Sequence, residues 1–172
     1  MISSKEICFT LLPSSIGLVL VAKSEKGLCA ALLGDKPAPL IASLKKRFPR
    51  AALIKGDKST EQLAAKIVRL IENPKRAAKA LQGVPLDVRG TAFQMRVWKS
   101  LQKIPCGQTV RYADVARTIG NAKACRAVAN ACGANALAVI IPCHRVIASD
   151  GSLGGYASGV KRKRLLLERE KR

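Results

Sequence analysis

Tyr112-Ala113-Asp114-Val115-Ala116-Arg117-Thr118-Ile119, then Gly120-Asn121, then Lys123-Ala124-Cys125-Arg126-Ala127-Val128-Ala129-Asn130-Ala131-Cys132 is the stretch that decides how the second half of this chain folds. Two runs of helical spacing flank a Gly-containing turn, which reads as a helix-turn-helix; a plain pair of antiparallel helices has the same pattern. The second helix is built almost wholly of small side chains, so its backbone can come close to a partner surface. One such partner is another helix of the core. The other is a groove of DNA, which the charge makes at least an equal candidate. The 172 residues carry 31 Lys and Arg against 11 Asp and Glu, a formal net charge of +20. So few interspersed acids point to a polyanion rather than to a surface tuned for solubility.

Upstream, Phe93, Val97, Trp98 and Leu101 fall on one helical face, and Pro105 ends that helix. Downstream, the apolar run Ala138 to Pro142 fits a buried strand or extended segment that delivers Cys143. Cys143 is followed directly by His144, the only histidine of the chain. A thiol beside a base is a candidate nucleophile, because the thiolate is the attacking species. Adjacent side chains diverge unless the backbone turns sharply or a water bridges them, and a third group should fix the imidazole tautomer. Asp114, Asp150, Glu168 and Glu170 are the acids of this region. Glu170 shares a helical face with Leu166 and Leu167, so it points inward if they do. On its own the pair also permits a cysteine hydrolase or a thiol oxidoreductase. The loop from Ser149 to Gly159 holds Gly151, Gly154, Gly155 and Gly159, too irregular for a phosphate fingerprint but able to shape a pocket. The last helix, Val160 to Arg172, is expected to carry Leu165, Leu166 and Leu167 inward and Lys161, Arg162, Lys163 and Arg164 outward.

The first half reads as α/β. Ile7 to Leu12, Gly17 to Ala22 and Leu28 to Leu33 are β-like runs joined by turn residues, as in a meander of hairpins. Leu40 to Phe48 has helical spacing and Pro49 stops it. Glu61 to Glu72 has the apolar stripe Leu63, Ile67, Leu70/Ile71, with Thr60 as cap and Asn73-Pro74 as stop. Lys75 to Gly83 is basic, Ala-rich and without periodicity. The expected division is an α/β domain over 1–84 and a mainly α domain over 85–172.

No apolar run reaches membrane-spanning length, and Ile16 to Ala22 falls well short. The N-terminus lacks a basic region and cleavage site, so a cytoplasmic location is expected, or a nuclear one in a eukaryote. The six cysteines form no Cys-x-x-Cys pair, and with one histidine no zinc array is expected; free thiols follow from the expected compartment.

The run Pro142-Cys143-His144-Arg145-Val146 resembles the active-site signature of the O6-alkylguanine-DNA alkyltransferases. Gly90-Thr91-Ala92-Phe93-Gln94, Val97-Trp98, Ile104-Pro105-Cys106-Gly107, Val110-Arg111-Tyr112, Arg126-Ala127-Val128-Ala129 and Gly154-Gly155-Tyr156 resemble further family landmarks in the same order. Leu32-Leu33-Gly34-Asp35 and Pro85 to Gly90 extend the likeness to the C-terminal alkyltransferase half of the bacterial adaptive-response protein Ada. Its N-terminal metal-binding and DNA-binding regions have no counterpart, so transcriptional activation is not expected.

The resemblance implies a ribonuclease H-like N-terminal domain and a winged-helix-like helix-turn-helix C-terminal domain. It implies irreversible, single-turnover alkyl transfer from O6 of guanine, and from O4 of thymine, to Cys143. His144 would act as base through a water, and Glu170 would orient it. Tyr112 would rotate a phosphate, Arg126 would fill the gap left by a flipped base, and Ala127 would lie on the helix against DNA. Asn135 would brace the link to the active-site segment. Tyr156 and the backbone near Ser158 would line the guanine pocket. The implied partner is duplex DNA, entered from the minor groove by a monomer, with no cofactor, metal or membrane. Alkyltransferase-like lesion binders replace the nucleophile, and Cys143 speaks against that class.

Overall fold

The computed structural model describes residues 6–172. Contacts divide the chain into two compact units, one ending at Val88 and the other Arg89–Arg172. The division falls four residues beyond the expected one. Pro85 and Asp87 are tied into the first unit, since Leu28 N donates to Pro85 C=O (2.9 Å) and Asp87 N donates to Leu28 C=O (2.8 Å).

The first unit is a four-stranded sheet of order β3-β2-β1-β4 with helices. Strands β1 (Glu6–Ser14), β2 (Gly17–Ser24) and β3 (Gly27–Gly34) are the expected antiparallel meander. Helix α1 (Pro37–Arg47) follows. Strand β4 (Ala52–Lys55), not foreseen, pairs parallel with β1. On β2, Val19, Leu20, Val21 and Ala22 are all buried, so both faces are covered. Leu20 and Ala22 pack with Leu40, Leu44 and Phe48 of and beside α1. The opposite face is left to helix α2 (Lys58–Glu72), which packs on β1 and β2 and buries Ala64, Ile67 and Ile71.

Helix α2 begins earlier than expected, with Asp57 rather than Thr60 as its cap. Asp57 Oδ1 accepts from Thr60 N (2.9 Å) and Thr60 Oγ1 (2.7 Å). An ionised carboxylate at the positive end of a helix outcompetes a hydroxyl for that place. The basic stretch after it forms one short helix, α3 (Pro74–Ala77), and a 3-10 turn (Ala78–Leu81).

The second unit is mainly helical. Helix α4 (Ala92–Leu101) starts with a capping box: Thr91 Oγ1 accepts from Gln94 N (3.2 Å), and Gln94 Oε1 accepts from Thr91 N (2.9 Å). Helices α5 (Tyr112–Thr118) and α6 (Cys125–Gly133) pack on each other and on α4. Two-residue strands β5 (Val110–Arg111) and β6 (Val146–Ile147) pair in parallel, and α7 (Val160–Lys171) closes the chain. Trp98 locks α4 to α6: its Nε1 donates to Ala131 C=O at 2.8 Å, one of the last carbonyls of α6, which lack partners within their own helix.

Two expectations are corrected here. Ala138 to Pro142 is not a strand. Ile141 N donates back to Leu137 C=O (2.9 Å) and Val139 has φ +72°, so the segment is a tight turn with a β-branched residue in the left-handed region. On α7, Lys163 points inward and is fully buried, while Leu165 is only half-buried. No helix among the described residues is long and apolar enough to cross a membrane.

Replacing Trp98 by Phe keeps the apolar bulk but leaves the buried Ala131 carbonyl unpaired. The variant is expected to lose about 1–3 kcal/mol in chemical denaturation; a loss within error would mean the bond contributes nothing.

Candidate active site

Three pieces of chain converge around Cys143. The first is the turn after α6, organised by the buried side chain of Asn135. Its Oδ1 accepts from Leu137 N (2.8 Å), and its Nδ2 donates to Ile141 C=O (2.9 Å) and to Cys143 Sγ (3.3 Å). One amide thereby holds the strained turn at Val139 and aims the thiol. The second piece is the 3-10 turn Cys143–Arg145, which throws adjacent side chains in different directions. The third is α7, which supplies Glu170 and Lys163.

Glu170 is 2% exposed and is the hub. Its Oε1 lies 2.7 Å from His144 Nε2. Arg145 grips both carboxylate oxygens, Nε to Oε2 at 3.0 Å and Nη2 to Oε1 at 2.8 Å, and donates from Nη1 to Ile104 C=O at 2.6 Å. Gly107 N donates to Oε2 at 3.0 Å. Gly107 has φ +84°, which favours glycine, and a Cβ there would crowd the Glu170 backbone carbonyl at 3.1 Å. Burial pushes Glu170 up, but the bonds from His144 and Arg145 outweigh it and bring the carboxyl down to about 2. An anion can only accept, so the proton between the two residues sits on His144 Nε2. Burial, aided by the charges of Arg145 and Lys163, holds the imidazole below its ordinary value against the pull of Glu170. The ring is then neutral, and its basic nitrogen is Nδ1, which is buried without a protein partner.

Cys143 is 6% exposed. Burial raises its thiol, while the Asn135 bond and the positive charge of Lys163 act the other way. Lys163 Nζ donates to Val146 C=O (2.6 Å), Gly155 C=O (3.2 Å) and Leu153 C=O, knitting the Gly-rich loop to the active-site strand. It also lies 5.8 Å from the centre of the Tyr112 ring.

A cavity of about 230 Å³ opens beside the thiol, lined by Tyr112, Ala129, Cys132, Gly133, Cys143, Gly155, Tyr156 and Ala157. It is smaller than the roughly 300–1,000 Å³ typical of drug-sized ligands, a scale suited to one flat base. Burial raises the Tyr112 phenol to about 12 and that of Tyr156 well above its usual value, so both keep their protons. Tyr156 Oη is buried without a partner. At Gly154, with φ +64°, a Cβ would come within 3.3 Å of the Tyr112 ring.

Of the residues singled out from sequence, the structure brings Cys143, His144, Glu170, Asn135, Tyr112 and Tyr156 together. Arg126 and Ala127 stand apart, exposed on the first turn of α6. Ser158 is not part of the cavity wall: its carbonyl accepts from Arg162 Nη1 (2.8 Å), and Ala157 takes its place. The other acids are occupied elsewhere or exposed. Asp114 accepts from Arg111 N (3.0 Å), Asp150 from Ser152 N (2.9 Å), and Glu168 is solvated. Sequence reasoning missed Arg145 and Lys163 as parts of the site. Arg145 was visible as the neighbour of the Cys-His pair, whereas nothing local distinguished Lys163 from the bases around it. Among the described residues, no group of three His, Cys, Asp or Glu side chains could hold a metal ion.

Glu170 has a definite acid signature. Its folded value of about 2 lies below the ordinary 4.5, so its stabilisation is complete above pH 4.5 and is lost as pH falls through 2. Glu170→Gln is expected to be less stable than wild type at neutral pH, with the gap closing across that window in urea denaturation. A gap that stayed constant with pH would remove the carboxylate from this role.

The chain matches two family models, "6-O-methylguanine DNA methyltransferase, ribonuclease-like domain" over residues 7–82 and "6-O-methylguanine DNA methyltransferase, DNA binding domain" over residues 92–172. It is 49% identical over 162 residues to the bifunctional transcriptional activator/DNA repair enzyme Ada of Escherichia coli, covering 94% of this chain and 45% of Ada. It is 40% identical over 153 residues to the inducible methylated-DNA--protein-cysteine methyltransferase of Bacillus subtilis, covering 88% of this chain and 83% of that protein. Its fold resembles that of Mycobacterium tuberculosis OGT, solved in complex with DNA, with a TM-score of 0.75, 33% identity, and coverage of 95% and 92% of the two chains. The chain thus spans less than half of Ada but 83% of the Bacillus subtilis protein, and on these matches it belongs to the 6-O-methylguanine DNA methyltransferase family.

Proposed function

We propose that this protein repairs alkylated duplex DNA by moving the alkyl group of O6-alkylguanine, and of O4-alkylthymine, onto its own Cys143. One observation carries the reading: a buried thiol faces a base-sized cavity, next to an imidazole whose free nitrogen is its basic one. A water takes the thiol proton to His144 Nδ1. Cys143 Sγ attacks the alkyl carbon, the S–C bond forms, and the C–O bond breaks with its electron pair passing to the base oxygen. The imidazolium is stabilised by Glu170, which does not itself take the proton. Tyr112 and Tyr156 keep their phenolic protons, so they are available as donors to the departing base. The product is a thioether, and a thioether sulfur is a poor leaving group in water. No step restores the thiol, so each chain acts once, as a monomer.

The second unit supports DNA as the partner. Residues 89–172 hold 16 Lys and Arg against four Asp and Glu. Helices α5 and α6 form a helix-turn-helix, with β5 and β6 beside it as a small wing. We place α6 in the minor groove, where few base-specific contacts are on offer, as suits repair without regard to sequence. The exposed positions of Arg126 and Ala127 fit that placement. Arg126 fills the gap in the stack, Ala127 allows close approach, and Tyr112 turns the phosphate so that the lesion swings into the cavity. Extrusion costs a few kcal/mol, which the inserted side chain and phosphate contacts offset. Asn135 couples the end of α6 to the thiol.

Incubation with duplex DNA containing O6-methylguanine is expected to add one methyl group per chain, on Cys143, with no further turnover by intact-mass analysis. Binding without modification would favour a lesion binder, and repeated turnover would rule out the suicide reaction. Arg126→Ala should slow repair in duplex DNA more than attack on a free O6-alkylguanine base. Equal losses on both substrates would remove the finger role.

A further inference from the structure

Cys132 is a buried nucleophile that alkyl transfer leaves unused. It lines the same cavity as Cys143, and the two thiols are 7% and 6% exposed. Asn135 links the two residues: its backbone N donates to the Cys132 backbone C=O (3.2 Å), and its Nδ2 donates to Cys143 Sγ (3.3 Å). Cys132 is in the last turn of α6, next to Gly133, and Cys143 is in a single 3-10 turn. The electrostatics agree that they are neighbours. Burial and then the charge of Cys143 push the Cys132 thiol up to about 12, and Tyr112 is raised by both cysteines as well as by burial.

We propose that Cys132 is a resolving thiol, which captures a peroxide-oxidised Cys143 as a Cys132–Cys143 disulfide. This deepens the reading of Cys143 as alkyl acceptor, because on that reading an over-oxidised Cys143 is a chain lost to repair. With its proton passed to His144, Cys143 Sγ attacks one oxygen of hydrogen peroxide. The O–O bond breaks, the departing hydroxide takes up the thiol proton as water, and Cys143 becomes a sulfenic acid. Cys132 Sγ then attacks that sulfur. The S–S bond forms, the S–O bond breaks, and the second hydroxide leaves with the Cys132 proton. Two thiols give up two electrons and two protons, and one peroxide becomes two waters. Without a partner, the sulfenic acid proceeds to the irreversible sulfinic acid. The cavity is large enough for peroxide, and a disulfide there is reversed by an ordinary dithiol reductant.

No Lys or Arg lies between Ala127 and His144, so trypsin releases both cysteines in one peptide, Ala127–Arg145. The full chain is treated with hydrogen peroxide, its free thiols are blocked with N-ethylmaleimide, and the peptide is weighed. The expected peptide is two hydrogens lighter and carries no maleimide; after dithiothreitol it accepts two. Acceptor activity should return with the reductant. In Cys132→Ser, treated alike and measured against its own untreated activity, Cys143 should become sulfinic acid and the loss should persist. The proposal is overturned if wild-type Cys143 ends as sulfinic acid, bridges Cys106 or Cys125, or stays reduced while other cysteines oxidise. The wild-type peptide decides even where the variant fails to fold. The peptide readout involves no DNA. A chain that forms the disulfide but takes no methyl group would refute the alkyl-transfer reading alone, and the reverse outcome would refute only the resolving role.

Discussion

The site depends on one buried carboxylate. Glu170 is taken out of water at the end of α7, which is costly for an ion unless every lone pair is used. Here Arg145, His144 and Gly107 use them. The consequences spread outward. Arg145 can then pin the Ile104 carbonyl, and the imidazole must present Nε2–H to the acid, which leaves its lone pair at Nδ1. The acid fixes a tautomer and an orientation, and the chemistry follows from that.

A second buried charge does for the cavity what Glu170 does for the base. Lys163 gathers three carbonyls from the Gly-rich loop and the strand after Cys143. Its ammonium is desolvated, which lowers its own value, yet its charge favours a thiolate at Cys143. A thiol raised by burial stays protonated at rest. That slows its reaction with stray electrophiles, and removal of its proton is the role proposed for His144.

Much of this was legible in the chain. Continuous apolar runs bounded by turn residues gave the three-stranded meander, and the stripe Leu63, Ile67, Ile71 gave α2, because burial marks many residues in a row or at one period. The facing of Glu170 followed from Leu166 and Leu167 by the same logic. What escaped was short or non-local. Strand β4 is four residues, and β5 and β6 are two each, too few for a period to show. Ala138 to Pro142 looked extended because it is apolar, but its conformation is set by the side chain of Asn135. Lys163 sits among Lys161, Arg162 and Arg164, and no local pattern says which base turns inward. That depends on carbonyls contributed 8 to 17 residues away.

The most direct test of the account is the state of a single imidazole. His144 is the only histidine, so its nitrogen resonances in labelled protein need no assignment. The account predicts a neutral ring at pH 7, with the proton on Nε2 and Nδ1 unprotonated, titrating only below the ordinary 6.5. A ring doubly protonated at pH 7, or one carrying its proton on Nδ1, would leave Cys143 without the base assigned to it.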